Sequence, residues 1–196
     1  MDPDKKTVVL DLDDTLIHSC VCEKMKKWNH ERRERIEKKL VWHNMEDYYL
    51  VCERPGLQNF LDYLFKNFNV IVWTAASKDY ALFIIKKCIL TKPDRDLKYI
   101  FFDYHCDISQ VVYKDHKEFK KPQKCLKLLE EHFKVNNINV DKGNVRLIDD
   151  LIDHKKTNGV NCIQIFAWKA AAPESHNDTV LKDDIIPQLE TWKDSE

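Results

Sequence analysis

Five short apolar runs punctuate this chain, and each is followed by a longer stretch of different spacing. The runs are Thr7–Leu10, Asn69–Trp73, Tyr99–Phe102, Val145–Ile148 and Cys162–Phe166. Nearly continuous apolar runs of this length suit strands buried on both faces of a sheet. Between them lie helical patterns. Leu57, Phe60, Leu61, Leu64, Phe65 and Phe68 form one apolar face at a 3.6 period, just after the break at Pro55-Gly56. Further helices are predicted over Lys78 to Leu90, from Pro122 as a first helical residue, and over Thr179 to Trp192. Strand and helix in alternation predict an α/β domain with a largely parallel sheet.

The insertion after the first run differs. Eight Lys/Arg crowd Glu23 to Lys39, with Glu31–Arg35 and Glu34–Lys38 as helix-favouring pairs. A solvated helix or flap is the plain reading and a partner-binding face the sharper one. Direct nucleic-acid binding is disfavoured, since only Trp28 interleaves the charges. Leu40 to Cys52 then reads as a hairpin around Asn44–Asp47. Across all 196 residues, 32 Lys+Arg against 33 Asp+Glu leave a net charge of -1, so neither a basic nucleic-acid glove nor an acidic tail is the theme. Seven Cys, with Cys20 and Cys22 the one close pair, point to reduced thiols. With no apolar run near the ~20 residues that span a bilayer and a charged start, the expected location is cytoplasmic or nuclear, without membrane contact.

Chemistry gathers at the ends of the apolar runs. Val8-Val9-Leu10 passes straight into Asp11-Leu12-Asp13-Asp14-Thr15. Side chains two apart on extended chain share a side, so Asp11 and Asp13 can aim at one pocket. Two such carboxylates repel unless a hard cation lies between them, Mg2+ being the natural one. A polar turn with capping residues is the bland alternative. Val70 to Trp73 ends at Thr74-Ala75-Ala76-Ser77, which can offer a hydroxyl and backbone N–H groups to an anion; capping by Ser77 explains it about as well. Lys120-Lys121-Pro122 could place an ammonium on a phosphate, and Val145 to Ile148 ends at Asp149-Asp150.

The set and its order resemble the haloacid dehalogenase superfamily of aspartate-nucleophile phosphatases. Its four motifs match Asp11-Leu12-Asp13-Asp14-Thr15, Thr74, Lys121 and Asp149-Asp150. Within it the chain is similar to the small carboxy-terminal-domain phosphatases, the nuclear LIM interactor-interacting factor group. The matches are Leu10 to Ser19, Arg54-Pro55-Gly56-Leu57 with Phe60-Leu61, and Trp73 to Ser77 with Tyr80-Ala81; the similarity covers about Val8 to Phe166. Leu151-Ile152 stand where that group usually has Ser-Pro, and Lys114-Asp115 rivals Lys121. Lys121 is preferred for its place before a proline and its spacing to Asp149.

The resemblance implies a Rossmann-like central sheet, mostly parallel and flanked by helices, with a small flap and insertions but no large cap domain. One domain over residues 1–196 is expected, with 23–52 as the charged insertion and 193–196 as a frayed tail. It further implies a Mg2+-dependent phosphomonoesterase. Asp11 would attack phosphorus and become an aspartyl-phosphate, while Asp13 serves as general acid and then general base. Thr74, Ala75 and Lys121 would hold the phosphoryl group. Asp11, the Asp13 main-chain carbonyl and Asp150 would hold the metal, and Asp149 would position Lys121. The implied substrate is a phosphorylated Ser or Thr of a protein or peptide, with a monomer favoured. A polynucleotide or small-metabolite phosphatase and a catalytically idle binding module are the rival readings.

Overall fold

In the computed structural model, the runs that end in chemistry become neighbouring strands. The structure describes residues 1–109, 111–114, 117–135 and 140–195; the side chains of 111–114 and 117–120 lie outside that description. In chain order the elements are β1 (Thr7–Leu10), β2 (Ile17–Val21), α1 (Cys22–Met25), α2 (His30–Lys39), β3 (Trp42–Met45), β4 (Tyr49–Glu53), α3 (Leu57–Asn67) and β5 (Asn69–Trp73). There follow α4 (Lys78–Ile84), continued by a wider π-helical turn over Ile85–Ile89, then β6 (Tyr99–Phe101), β7 (Val111–Lys114), β8 (Lys117–Lys120), α5 (Leu126–Val135), β9 (Val145–Asp149), α6 (Ile152–Asn158), β10 (Cys162–Gln164) and α7 (Ile186–Asp194).

The main sheet has five strands in the order β10-β9-β1-β5-β6, and every pairing in it is parallel. All five predicted runs are in it. Leu10 at the end of β1 pairs with Val72 of β5 and Ile148 of β9, so the residues that follow these three strands must emerge side by side. Strand alternation divides the core. Val8, Leu10, Val70, Val72 and Ile148 pack with Phe60, Leu61 and Leu64 of α3 and with Leu189 and Trp192 of α7. Val9, Ile71, Trp73 and Leu147 face the other way, onto Leu126, Leu129 and Phe133 of α5. Burying each large apolar side chain contributes roughly 1.5–3 kcal/mol. Helix α3 starts where predicted because Gly56 takes φ 79, a left-handed turn natural for a residue without Cβ.

Between β1 and β5 sits a small antiparallel sheet, β2-β4-β3. The predicted hairpin is its β3–β4 part, and β2 was not anticipated. Helix α2 lays Ile36 on this sheet, beside Cys20, Leu40, Leu50 and Cys52, and keeps most of its charges in solvent. Two expectations change. Helix α5 begins at Leu126, not Pro122, because Gln123 pairs with Asp107 in an isolated antiparallel bridge before the helix starts. The chain end is helical to Asp194, and the carbonyls of Trp192 and Ser195 accept hydrogen bonds from Lys6 Nζ at 2.6 Å. No helix among the described residues is long and apolar enough to cross a membrane. All seven Cys are free thiols.

Arg54 locks the flap to the sheet. Its guanidinium is 1% exposed. It grips Asp178 with Nε and Nη2 at 2.9 and 3.0 Å, while Nη1 donates to the carbonyls of Thr15 and Phe166 at 3.0 and 3.2 Å. A lysine cannot reproduce this planar fork. Arg54→Lys is expected to lower stability by about 3 kcal/mol, measured as a shift of the urea midpoint at unchanged slope.

Candidate active site

The turn after β1 is built by its own residues. Leu16 and Ile17 N–H both donate to the Leu12 carbonyl, and Asp14 takes a left-handed φ of 62, which a short polar side chain tolerates. The turn keeps Leu12 in the core and sends both Asp11 and Asp13 into one cavity of about 290 Å³. Thr74, Ala75 and Ala76 from the end of β5, Lys124, and Asp150 after β9 line the same space. Three predicted groups, the first carboxylates, the hydroxyl turn and the last acidic pair, therefore converge.

Asp11 is deeply held. Thr15 Oγ1 donates to its Oδ2 at 2.8 Å, and the Lys124 ammonium donates to its Oδ1. Lys124 also reaches Asp149 Oδ2 at 2.8 Å. Burial pushes the Asp11 carboxyl up to about 7 against the pull of Lys124, with Asp149 adding to the rise. Lys124 is buried too, yet the two carboxylates hold its ammonium above the ordinary lysine range. Asp149 goes the other way: burial would raise it, but Lys124 and His154 outweigh that and keep it ionised. Its Oδ1 accepts from the Leu151 N–H at 2.9 Å. Asp150 is raised, by burial and then by Asp149 and Asp14.

The lysine at this cavity is Lys124, not the predicted Lys121. Lys121 lies about a third exposed and pairs with Asp153. The side chain of the rival, Lys114, lies outside the described residues. The expectation of Lys121 depends on a helix beginning at Pro122; the Gln123–Asp107 bridge delays that helix and turns the next residue, Lys124, inward. Thr74 is 1% exposed; its hydroxyl accepts the Ala76 N–H at 3.1 Å and its own N–H serves the Phe101 carbonyl. Ser77 precedes α4 with extended dihedrals but makes no side-chain cap, so the capping explanation does not account for it.

Other residues join to which the sequence motifs assign no part in the site, His18 and Tyr80 from within the matched stretches and Lys169 from outside them. Asp13 is raised by burial, while Tyr80 Oη, which donates to its Oδ1, works in the opposite direction. Asp14 receives His18 Nδ1 at 2.6 Å and the Lys169 ammonium. Burial works against charge on His18, but Asp14 and Cys20 outweigh it and raise the ring to about 9. Asp11, Asp149 and Asp150 each offer a carboxylate oxygen within 4.8 Å of the others. Such an all-oxygen set suits a hard divalent cation, which would offset both the burial and the neighbouring negative charge that raise Asp11 and Asp150.

Comparison with known proteins agrees with this geometry. The sequence model of the NLI interacting factor-like phosphatases matches residues 6–196. The chain is 46% identical over 179 residues to the CTD phosphatase-like protein 355R of Invertebrate iridescent virus 6, covering 90% of this chain and 93% of that protein. It is 28% identical over 164 residues to nuclear envelope morphology protein 1 of Saccharomyces cerevisiae, covering 84% of this chain and 35% of that one. The structure of the fission yeast RNA polymerase II CTD phosphatase Fcp1 bound to beryllium fluoride shares the fold, with a TM-score of 0.58 at 18% identity. That match covers 97% of this chain, which spans about half, 51%, of the Fcp1 chain. The present chain belongs to the NLI interacting factor-like phosphatase family, and its fold is shared with Fcp1.

Proposed function

We propose that the chain removes phosphate from a phosphorylated Ser or Thr of a protein, through an aspartyl-phosphate on Asp11 and with a bound Mg2+. The observation that carries this is the buried row Asp11–Lys124–Asp149 beside Asp13, Thr74 and Asp150 in one cavity. Asp11 presents a carboxylate oxygen to phosphorus. Lys124, held cationic by its two partners, draws the phosphoryl group toward that carboxylate and takes up charge as it spreads over the phosphoryl oxygens. Thr74 and the Ala75 N–H hold one of those oxygens. Asp13 gives its proton to the departing alkoxide, and then takes a proton from the water that splits the aspartyl-phosphate. Asp149 positions Lys124, the part first expected of it toward Lys121. Asp11, the Asp13 carbonyl and Asp150 would hold the Mg2+, which supplies electrostatic stabilisation of phosphoryl charge.

The substrate reading rests on family membership and on an open approach. Next to the phosphate cavity lies a second one of about 500 Å³, lined by Ser19, Met45, Tyr49, Ser77 and Tyr80, with Asp13 and Ala76 common to both. This is room for the residues around a phosphorylated side chain. The test is turnover of a phosphoserine and phosphothreonine peptide panel against oligonucleotide 3′-phosphates and sugar phosphates, with Mg2+ and after chelation. Peptide turnover should exceed the others by at least about tenfold in kcat/KM. Chelation should abolish it and added Mg2+ restore it. Preference for an oligonucleotide or sugar phosphate would sink the substrate reading; full activity after chelation would sink the metal reading.

A further inference from the structure

The two cavities meet at a single carboxyl group, and one of its oxygens is already spoken for. Tyr80 Oη donates to Asp13 Oδ1, and among the described residues none donates to Oδ2. Tyr80 is itself held from two sides. Ser19 Oγ lies 2.5 Å from its hydroxyl, and Tyr49 meets its ring edge to face, with centroids 5.5 Å apart at 74°. These partners come from β2, β4 and α4, three elements far apart in sequence that close around one functional group. Tyr80 thus stands in the wall of the larger cavity with its polar tip at the boundary with the smaller one.

A carboxylic acid carries its proton on one oxygen, and the oxygen that accepts a hydrogen bond from a phenol is the disfavoured place for it. We propose that Tyr80, backed by Ser19, is a positioning residue that keeps the Asp13 proton on Oδ2, aimed at the leaving group. This rests on the general-acid part for Asp13 given above. In the first step the bond from Asp11 to phosphorus forms. The bond from phosphorus to the leaving oxygen breaks, its electron pair staying on that oxygen. The proton on Asp13 Oδ2 passes to the same oxygen, leaving Asp13 as the carboxylate. Tyr80 keeps its own proton and its bond to Oδ1 throughout, so Asp13 does not swing between steps.

The test uses two small substrates of nearly equal size, phenyl phosphate and p-nitrophenyl phosphate, so that contacts in the larger cavity do not enter. Phenoxide is the poorer leaving group and needs the proton more. General acid catalysis contributes about 10²–10⁴-fold, and a misaimed proton forfeits part of it. Tyr80→Phe, which keeps the ring against Tyr49, should lower kcat/KM for phenyl phosphate about tenfold and for p-nitrophenyl phosphate less than about threefold. The loss should appear in kcat more than in KM. Ser19→Ala should act in the same direction, about threefold on phenyl phosphate, and carries the comparison if the Tyr80 variant does not fold. Asp13→Asn is the reference. If Asp13→Asn separates the two substrates and neither the Tyr80 nor the Ser19 variant does, the positioning inference is overturned. If Asp13→Asn itself slows both equally, the general-acid reading falls, and this inference with it.

Discussion

Asp11→Asn will abolish turnover, by at least about 10⁴-fold in kcat, and leave the fold intact. An amide oxygen is too weak a nucleophile to open a covalent path. The fold should survive because the side chain keeps its shape: its amide oxygen can accept from the Lys124 ammonium while its NH2 donates to the Thr15 hydroxyl, which can turn to accept. Lys124 keeps Asp149 as its partner, so no buried ammonium is orphaned. The electrostatics favour the variant. Burial raises Asp11 from 3.8 to about 7 in the folded chain, so its ionisation works against folding as pH rises from about 4 to about 7. An uncharged Asn escapes that opposition. In metal-free buffer at neutral pH the Tm of Asp11→Asn should equal or exceed that of the parent. Activity in a clean preparation would refute the nucleophile assignment; a collapsed Tm with loss of secondary structure would refute the electrostatic account.

Lys124→Met will be as damaging to activity and, unlike the change at Asp11, destabilising. The methionine side chain fills similar space but removes the cation from a site where Lys124 is 1% and Asp149 0% exposed. Breaking a buried ion pair at one partner typically costs about 3–5 kcal/mol, and here two carboxylates lose their cation. Added Mg2+ should return part of that stability without returning activity, which should fall at least about 10³-fold. Lys121→Ala is the contrast. Its ammonium and Asp153 are each about a third exposed, and such pairs contribute at most about 1 kcal/mol. It should change stability by less than about 0.5 kcal/mol and kcat/KM by less than about threefold. Denaturation midpoints and steady-state kinetics on the two variants, side by side, decide which lysine serves the site. The opposite pattern, with Lys121 essential and Lys124 dispensable, would overturn the assignment.

What could be read from sequence follows from where the physics is local. Asp11, Thr74 and Asp149 were legible because each stands at or next to the end of an apolar run, and parallel pairing of those runs brings their ends together whatever lies between. Helix α3 was legible because its apolar face repeats over three turns after a glycine break. Strand β2 was not, since Ile17–Val21 mixes His18 and Ser19 with apolar residues and earns its place only by pairing with β4. Lys124 was missed because the backbone bridge of Gln123 to Asp107 is long-range and moves the start of α5 by four residues from where Pro122 suggested. Tyr80 stood within a motif match, yet its bond to Asp13 spans 67 residues of sequence and its hydroxyl meets Ser19 across 61. No spacing rule reaches that far.

The measurement that bears most directly on the mechanism is capture of the covalent intermediate. The protein should be incubated with Mg2+ and a phosphorylated substrate, quenched in acid, reduced with borohydride to convert an acyl phosphate into a stable alcohol, and mapped by mass spectrometry. Homoserine in place of aspartate at position 11, and nowhere else, is the predicted result. Label at another residue, or none while turnover proceeds, would contradict it.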